Sequence, residues 1–187
     1  MKIAITGHSA GIGKALTKVY QERGHEIIGL SRRTGYNIRS LPKILNSIRE
    51  CDMLINNAQS GYGQVELLFS VWDMWKENKE KIIINISTMM TSQPISSING
   101  LEFDAYRIQK LALEEAHRQL RFKEGGPKLI LVKPGAVATQ EGQSEPKYAN
   151  VDEWANTLIN CLECVGPKLL ISEISLGVNY GWQKIHN

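Results

Sequence analysis

Residues 6–16 read TGHSAGIGKAL, from Thr6 to Leu16. Gly7, Gly11 and Gly13 stand between the apolar run KIAI and a segment in which Ile12, Ala15, Leu16, Val19 and Tyr20 follow the i, i+3, i+4, i+7, i+8 spacing of one helix face. The pattern predicts a strand over 2–6, a glycine turn, then a helix. Glycine costs backbone entropy, so three in one short turn call for a reason. Either the turn is tight or something must come close to the backbone. A helix opens with unpaired N–H groups and a partial positive charge, and glycines let a pyrophosphate reach those donors. With a strand before and an amphipathic helix after, the stretch points to dinucleotide binding.

Working outward, apolar runs alternate with helical patterns. EIIGL (26–30), DMLIN (52–56), KIIINIS (81–87), KLILV (128–132) and KLLISEISL (168–176) read as strands. Helices are expected over about Gln64–Asn78, Phe103–Phe122 and Asp152–Cys161. The alternation predicts an α/β domain with a parallel sheet, and continuous apolar strands predict burial on both sheet faces. There is no internal repeat or domain boundary, so residues 1–187 are read as one domain. The segments 88–102 and 138–150 both follow strands. They belong at the carboxyl edge of the sheet, where open α/β folds bind ligands.

Composition excludes several classes. The 187 residues are 42% hydrophobic and 22% charged, ordinary for a globular chain, and the net charge of +3 favours neither nucleic acid nor a membrane surface. No apolar run reaches the roughly 18 residues of a membrane span, and TGHS follows the N-terminus too soon for a secretory signal. Cys51, Cys161 and Cys164 are odd in number and lack a framework spacing, which predicts reduced thiols and a cytoplasmic location. The pair in CLEC does not close a zinc site. It is read as helix packing, and no metal site is expected.

The spacing G-x-x-x-G-x-G in TGHSAGIG resembles the cofactor loop of the short-chain dehydrogenase/reductase family. The resemblance continues in order: NNA at 56–58, INIS ending at Ser87, Tyr106 and Lys110 in YRIQK, and PGAVAT at 134–139. It implies a Rossmann-type doubly wound parallel sheet in three α/β/α layers. It implies Tyr106 as the acid/base, Lys110 as its partner and as a ligand of the nicotinamide ribose, and Ser87 as the hydroxyl that polarises a substrate carbonyl. Cofactor contacts are implied for Gly7, Ser9, Gly11, Ile12 and Gly13 in the loop, and for Ser31, Arg32 and Arg33 after the second strand. Asn37 and Ile38 fall beside the adenine, Asn57 and Ala58 after the third strand, and Pro134, Gly135, Val137 and Thr139 beside the nicotinamide. Residues four apart share a helix face, so Lys110 is expected to lower the Tyr106 pKa from its ordinary value near 10. A second Tyr-x-x-x-Lys, Tyr180/Lys184, sits in a Gly-flanked tail without helical pattern and is read as coincidence.

An acidic residue after the second strand would bind ribose hydroxyls, whereas arginine accommodates a 2′-phosphate. GLSRRTGYN offers Arg32 and Arg33 and no carboxylate, so NADP (NADPH) is expected over NAD. The chain also departs from the family pattern. The interval from Asn56 to Ser87 has room for one helix where the family usually has two. The family's usual asparagine in that interval has no counterpart, since Asn78 lies near the end of the single helix. Gln59 stands where the family has glycine, and the loop after PGAVAT is compact, implying an open or small substrate pocket. The expectation is an NADP-dependent enzyme moving a hydride between nicotinamide and a small-molecule carbonyl or alcohol. The alternative is an NADP-binding regulator or sensor on the same fold with little catalysis. A sugar-nucleotide epimerase would need a different glycine spacing and a larger C-terminal region. The resemblance further implies a homodimer or homotetramer joined through the helices at Gln64 and Phe103. Trp72, Trp75, Met89 and Met90 suit either an apolar pocket or core and subunit contacts.

Overall fold

The apolar runs become the strands β1 (Lys2–Thr6), β2 (Glu26–Leu30), β3 (Met53–Asn56), β4 (Ile82–Ile86), β5 (Lys128–Pro134) and β6 (Glu173–Leu176). The helices are α1 (Gly11–Glu22), α2 (Leu41–Ile48), α3 (Gly63–Met74), α4 (Asp104–Arg121) and α5 (Val151–Glu163). The structure is a computed structural model that describes residues 1–92, 97–98, 101–140, 142–143, 148–165 and 169–178. Among these the six strands form one parallel sheet in the order β6-β5-β4-β3-β1-β2.

The two-residue period of a strand sorts side chains between two layers. Ile3 and Ile5 of β1 pack with Leu16, Val19, Trp154 and Leu158 under α1 and α5. Ala4, with Leu54 and Ile83, packs with Ile44, Leu67, Leu68 and Leu113 under α2, α3 and α4. Each fully buried Ile or Leu contributes roughly 1.5–3 kcal/mol. The result is the expected three-layer, doubly wound α/β/α arrangement. The central strands are buried on both faces, while β2 and β6 are half-exposed edges.

From β1 the chain steps one way to β2, then crosses back to β3 on the other side. The loops after β1 and β3 therefore diverge, opening a crevice at the carboxyl edge. Within the crevice they are stitched together. The Thr6 hydroxyl accepts from the backbone N–H of Asn57 and of Ala58, both at 2.9 Å, and Asn57 Nδ2 donates to Thr6 O at 2.9 Å.

Three elements differ from expectation. α2 is additional: Leu41, Ile44, Leu45 and Ile48 form its apolar stripe and Pro42 sits in its first turn, a signal legible in the sequence. α3 stops at Met74 rather than near Asn78, because Trp75 turns into the core, where it is 1% exposed and donates from Nε1 to Arg49 O at 3.3 Å. The last strand is shorter than KLLISEISL: pairing begins at Glu173, opposite Leu131, and Leu169 and Leu170 are exposed. Trp72 packs against the same core layer as Trp75, with Lys123 over its ring, so neither indole lines the crevice. Tyr180 and Lys184 lie outside the described residues.

Candidate active site

The glycine loop has the geometry its spacing implies. Gly7 and Gly11 adopt positive φ, 72° and 51°, which side-chain-bearing residues rarely tolerate. Gly13 lies inside α1, and a Cβ there would sit 2.3 Å from Gly7 O and 2.7 Å from Asn57 Nδ2. Gly13 thus lets the helix start press against the end of β1. Ala10 caps α1 without a side-chain hydrogen bond, so the first N–H groups of the helix face the crevice unspent. That is the chemistry a pyrophosphate requires.

On one side of this loop lies a cavity of about 430 Å³. Gly7, Ser9, Ser31, Arg32, Arg33, Asn37, Ile38 and Ala58 line it, with Tyr36, Gln59 and Ser60. Arg32 and Arg33 occupy a single 3₁₀ turn after β2, closed by a reciprocal Ser31/Thr34 capping box and by Gly35 at φ 78°. Both arginines are exposed. Asn37 Oδ1 accepts from Arg39 N–H at 3.0 Å, which leaves its amide NH₂ to donate.

On the other side a cavity of about 230 Å³ is lined by Ile12, Asn57, Gln59, Ile86, Ser87, Thr88, Tyr106, Lys110, Pro134, Gly135, Val137 and Thr139. Gln59 borders both cavities, and its amide meets that of Gln109 on α4. The two cavities therefore run end to end under one sheet edge.

The polar side chains come from one face of α4. Tyr106, Lys110, Glu114 and His117 follow helical spacing and meet the carboxyl end of β4 and its surroundings. Lys110 is 3% exposed, and its Nζ donates to Gln64 Oε1 and to Ile86 O, each at 2.7 Å. Burial pushes its ammonium down to about 7, opposed by the charge of Glu114. Nζ lies 5.6 Å from the Tyr106 ring centre. Tyr106 is raised above its ordinary value by burial, while a hydrogen bond from the Thr88 hydroxyl lowers it. The tyrosine is thus tuned by desolvation and Thr88. The expected lowering by Lys110 is not seen, because that ammonium is turned toward Gln64 and β4.

Ser87 lines the cavity with Tyr106 and Lys110, and its hydroxyl has a partner on α4. Asn85 and Ser87 share one face of β4 by the two-residue period, and both meet α4: Asn85 Nδ2 lies 3.2 Å from His117 Nδ1, and the Ser87 hydroxyl donates to Glu114. Glu114 also accepts from Thr91 at 2.7 Å and pairs with the buried Lys133 at 3.2 Å. Thr88 lines the same cavity as Ser87 and Tyr106 and bears on the Tyr106 hydroxyl, and its own oxygen accepts from Met90 N–H at 3.3 Å.

The "NAD dependent epimerase/dehydratase family" matches residues 3–66, the first strand–helix units and the loop after β3. A 3-ketodihydrosphingosine reductase of Bacteroides thetaiotaomicron is 26% identical over 179 residues, covering 73% of this chain and 64% of that protein. The chain thus spans somewhat less than two thirds of that relative's length. Among solved structures, serine dehydrogenase from Escherichia coli superposes with a TM-score of 0.76 at 18% identity, covering 95% of this chain and 97% of that one. The alcohol dehydrogenase of the archaeon Thermococcus sibiricus, complexed with 5-hydroxy-NADP, superposes with a TM-score of 0.72 at 20% identity, covering 96% and 97%. The chain shares the Rossmann-type α/β fold of these dehydrogenases.

On that fold, the residues named from the sequence divide between the two cavities, with Gly11 and Gly13 in the loop between them. Thr139 sits against Gly11, where a Cβ would lie 3.2 Å from the threonine Cβ. The sequence reading misses Thr88, Gln64, Glu114 and the Gln59–Gln109 contact. Thr88 adjoins Ser87 at the strand end, and Glu114 is four residues beyond Lys110, so both were in reach of spacing arguments. Gln64 was not, because only the packing of α3 against α4 brings it to Lys110.

Proposed function

We propose that the protein is an NADP-dependent oxidoreductase acting on a small carbonyl or alcohol. The observation that supports this best is the meeting of Thr88, Tyr106 and Lys110 in one cavity beside an uncapped helix N-terminus. The residues present fit a dinucleotide. The open N–H groups of α1 and the positive-φ glycines suit a pyrophosphate, the larger cavity suits an adenosine, and Arg32 and Arg33 stand at its rim. The dinucleotide would supply or accept the hydride at the substrate carbon. Tyr106 gives its proton to the carbonyl oxygen in reduction and takes one back in oxidation. Thr88 takes the part implied for Ser87: its single O–H donates to the substrate carbonyl as negative charge develops there. Lys110, turned toward Gln64 and Ile86, forms the inner wall of this cavity, and Pro134, Gly135, Val137 and Thr139 wall the nicotinamide side. Free Cys51, Cys161 and Cys164 suit a reducing compartment such as the cytoplasm. Phe69 on α3 and Ile108 and Leu111 on α4 are exposed apolar residues, which supports homo-oligomerisation through these helices.

A binding regulator is the second reading. It is favoured by the small reactive-side cavity and by a Ser87 hydroxyl committed to Glu114. The deciding experiment titrates NADPH and NADH, then follows NADPH oxidation against a panel of aldehydes and ketones. Turnover that depends on Tyr106 supports the enzyme. Tight NADPH binding with no turnover of any carbonyl supports the regulator, and no binding of either nucleotide overturns both.

A further inference from the structure

We infer that Gln64 is a positioning residue that fixes the buried Lys110 ammonium against the end of β4 and keeps it charged. The inference rests on the proposed oxidoreductase reading for its consequence in catalysis, and on geometry for its mechanism. Gln64 sits in the first turn of α3 and is 3% exposed. Its Oε1 accepts from Lys110 Nζ at 2.7 Å. Its Nε2 donates to Asn56 O at 2.7 Å and to Ile86 O at 3.2 Å, and its backbone carbonyl accepts from Asn56 Nδ2 at 2.9 Å. The amide is therefore clamped from both ends, and its oxygen can point only at the lysine. Asn56 Nδ2 continues to Asn85 Oδ1 at 2.9 Å, and Asn85 lies against His117, which ties the clamp to α4 a second time.

Only a glutamine satisfies all these contacts. A primary amide supplies an acceptor to the ammonium and donors to the two carbonyls, and a shorter side chain would not span from α3 to α4. An unaccompanied ammonium at this depth would shed its proton. A fixed amide oxygen and the Ile86 carbonyl favour the charged form without adding a charge of their own. Among the described residues, the titratable groups near Lys110 are Tyr106 and Glu114 on its own helix. α3 and β4 present to it only the neutral Gln64 and Ile86 groups, and Lys133 of β5 approaches through Glu114. His117 lies beyond Asn85.

The test reads Lys110 directly, without turnover. Protein carrying [13Cε]-lysine is titrated by NMR, the Lys110 resonance being assigned with Lys110→Arg, and the same samples are melted. Gln64→Met keeps the volume and removes the acceptor. It should move the Lys110 titration down by about one pH unit, the loss of one charge-assisted hydrogen bond. Gln64→Glu keeps the reach and the acceptor, and should titrate at or above the wild type. Where turnover is measurable, the alkaline fall in kcat should follow the same order, with KM for the carbonyl little changed, since Gln64 does not touch the cavity. A folded Gln64→Met protein whose Lys110 titrates as in the wild type overturns the inference. So does a Gln64→Glu protein whose Lys110 titrates lower, which also covers the case of a Met variant that does not fold. Absence of turnover in the wild type would count against the oxidoreductase reading alone, because the NMR titration stands without it.

Discussion

The two ends of the crevice are built on different principles. The end proposed for adenosine is made of backbone and surface: helix N–H groups without a cap, glycines at positive φ, and two exposed arginines on a short turn. The reactive end is made of buried side chains locked to one another, with Lys110, Gln64, Asn56, Asn85 and His117 in one hydrogen-bonded chain and Glu114 gathering Ser87, Thr91 and Lys133. A backbone site tolerates side-chain change and fails only when space is filled. A buried network fails when one partner is removed, because the group left behind stays unsatisfied.

The largest expected effect lies where the ends meet. Gly13→Val places a Cβ in a gap already closed by Gly7 O at 2.3 Å, with backbone on the opposing side that cannot rotate away. We expect loss of NADPH binding together with destabilisation of about 4 kcal/mol or more, read from nucleotide titration and urea unfolding. A folded, normally binding variant would remove Gly13 from both the turn and the phosphate site.

Next comes the reactive end alone. Tyr106→Phe should lower turnover by about 10²–10⁴-fold with NADPH affinity nearly unchanged. Thr88→Val should lower turnover more than Ser87→Ala, since Thr88 acts on the Tyr106 pKa while the Ser87 hydroxyl donates to Glu114. The reverse ranking would return the role to Ser87.

The same contrast governs what was legible. The alternating runs reveal the layers, and TGHSAGIG reveals the turn, because strand burial and helix spacing are local properties of the chain. The larger cavity's lining is legible for that reason, down to Arg32 and Arg33 on the turn after β2. At the reactive end, Tyr106 and Lys110 stand out by helical spacing, but the choice between Ser87 and Thr88 depends on which face of β4 meets α4. The direction of the Lys110 ammonium depends on Gln64, far away in sequence. Tertiary packing, not local pattern, decides both.

Buried His117 lets pH separate the two ends. Burial, with Arg121 adding to it, pushes its pKa down to about 4. The unfolded histidine, near 6.5, therefore holds more protons than the folded one between those values. The His117 contribution should be flat above about pH 6.5 and fall as pH drops through the window. At about pH 5 the loss should approach 2 kcal/mol relative to neutral pH, measured by urea unfolding. His117→Gln should flatten that slope, and an unchanged slope would exclude His117 as its source.

The smallest effect is confined to the adenosine end. NADPH should bind more tightly than NADH, because Arg32 or Arg33 can meet a 2′-phosphate with charge-assisted hydrogen bonds. Such bonds contribute roughly 1.5–3 kcal/mol when sheltered. Both arginines are exposed, so screening draws the gain toward the low end, about tenfold in affinity. The preference should shrink as salt rises. Arg32→Asp should reverse it by repelling the phosphate and offering a carboxylate to the ribose hydroxyls, and Arg33→Asp should do so only where that arginine makes the main contact. Because the 3₁₀ turn is held by Ser31, Thr34 and Gly35 rather than by the arginine side chains, neither variant should alter the melting temperature. Titration of wild type and both variants with each nucleotide reads the outcome. Equal affinity of the wild type for NADH and NADPH would strip the 2′-phosphate role from the turn while leaving the glycine loop, and the contrast between the two ends, intact.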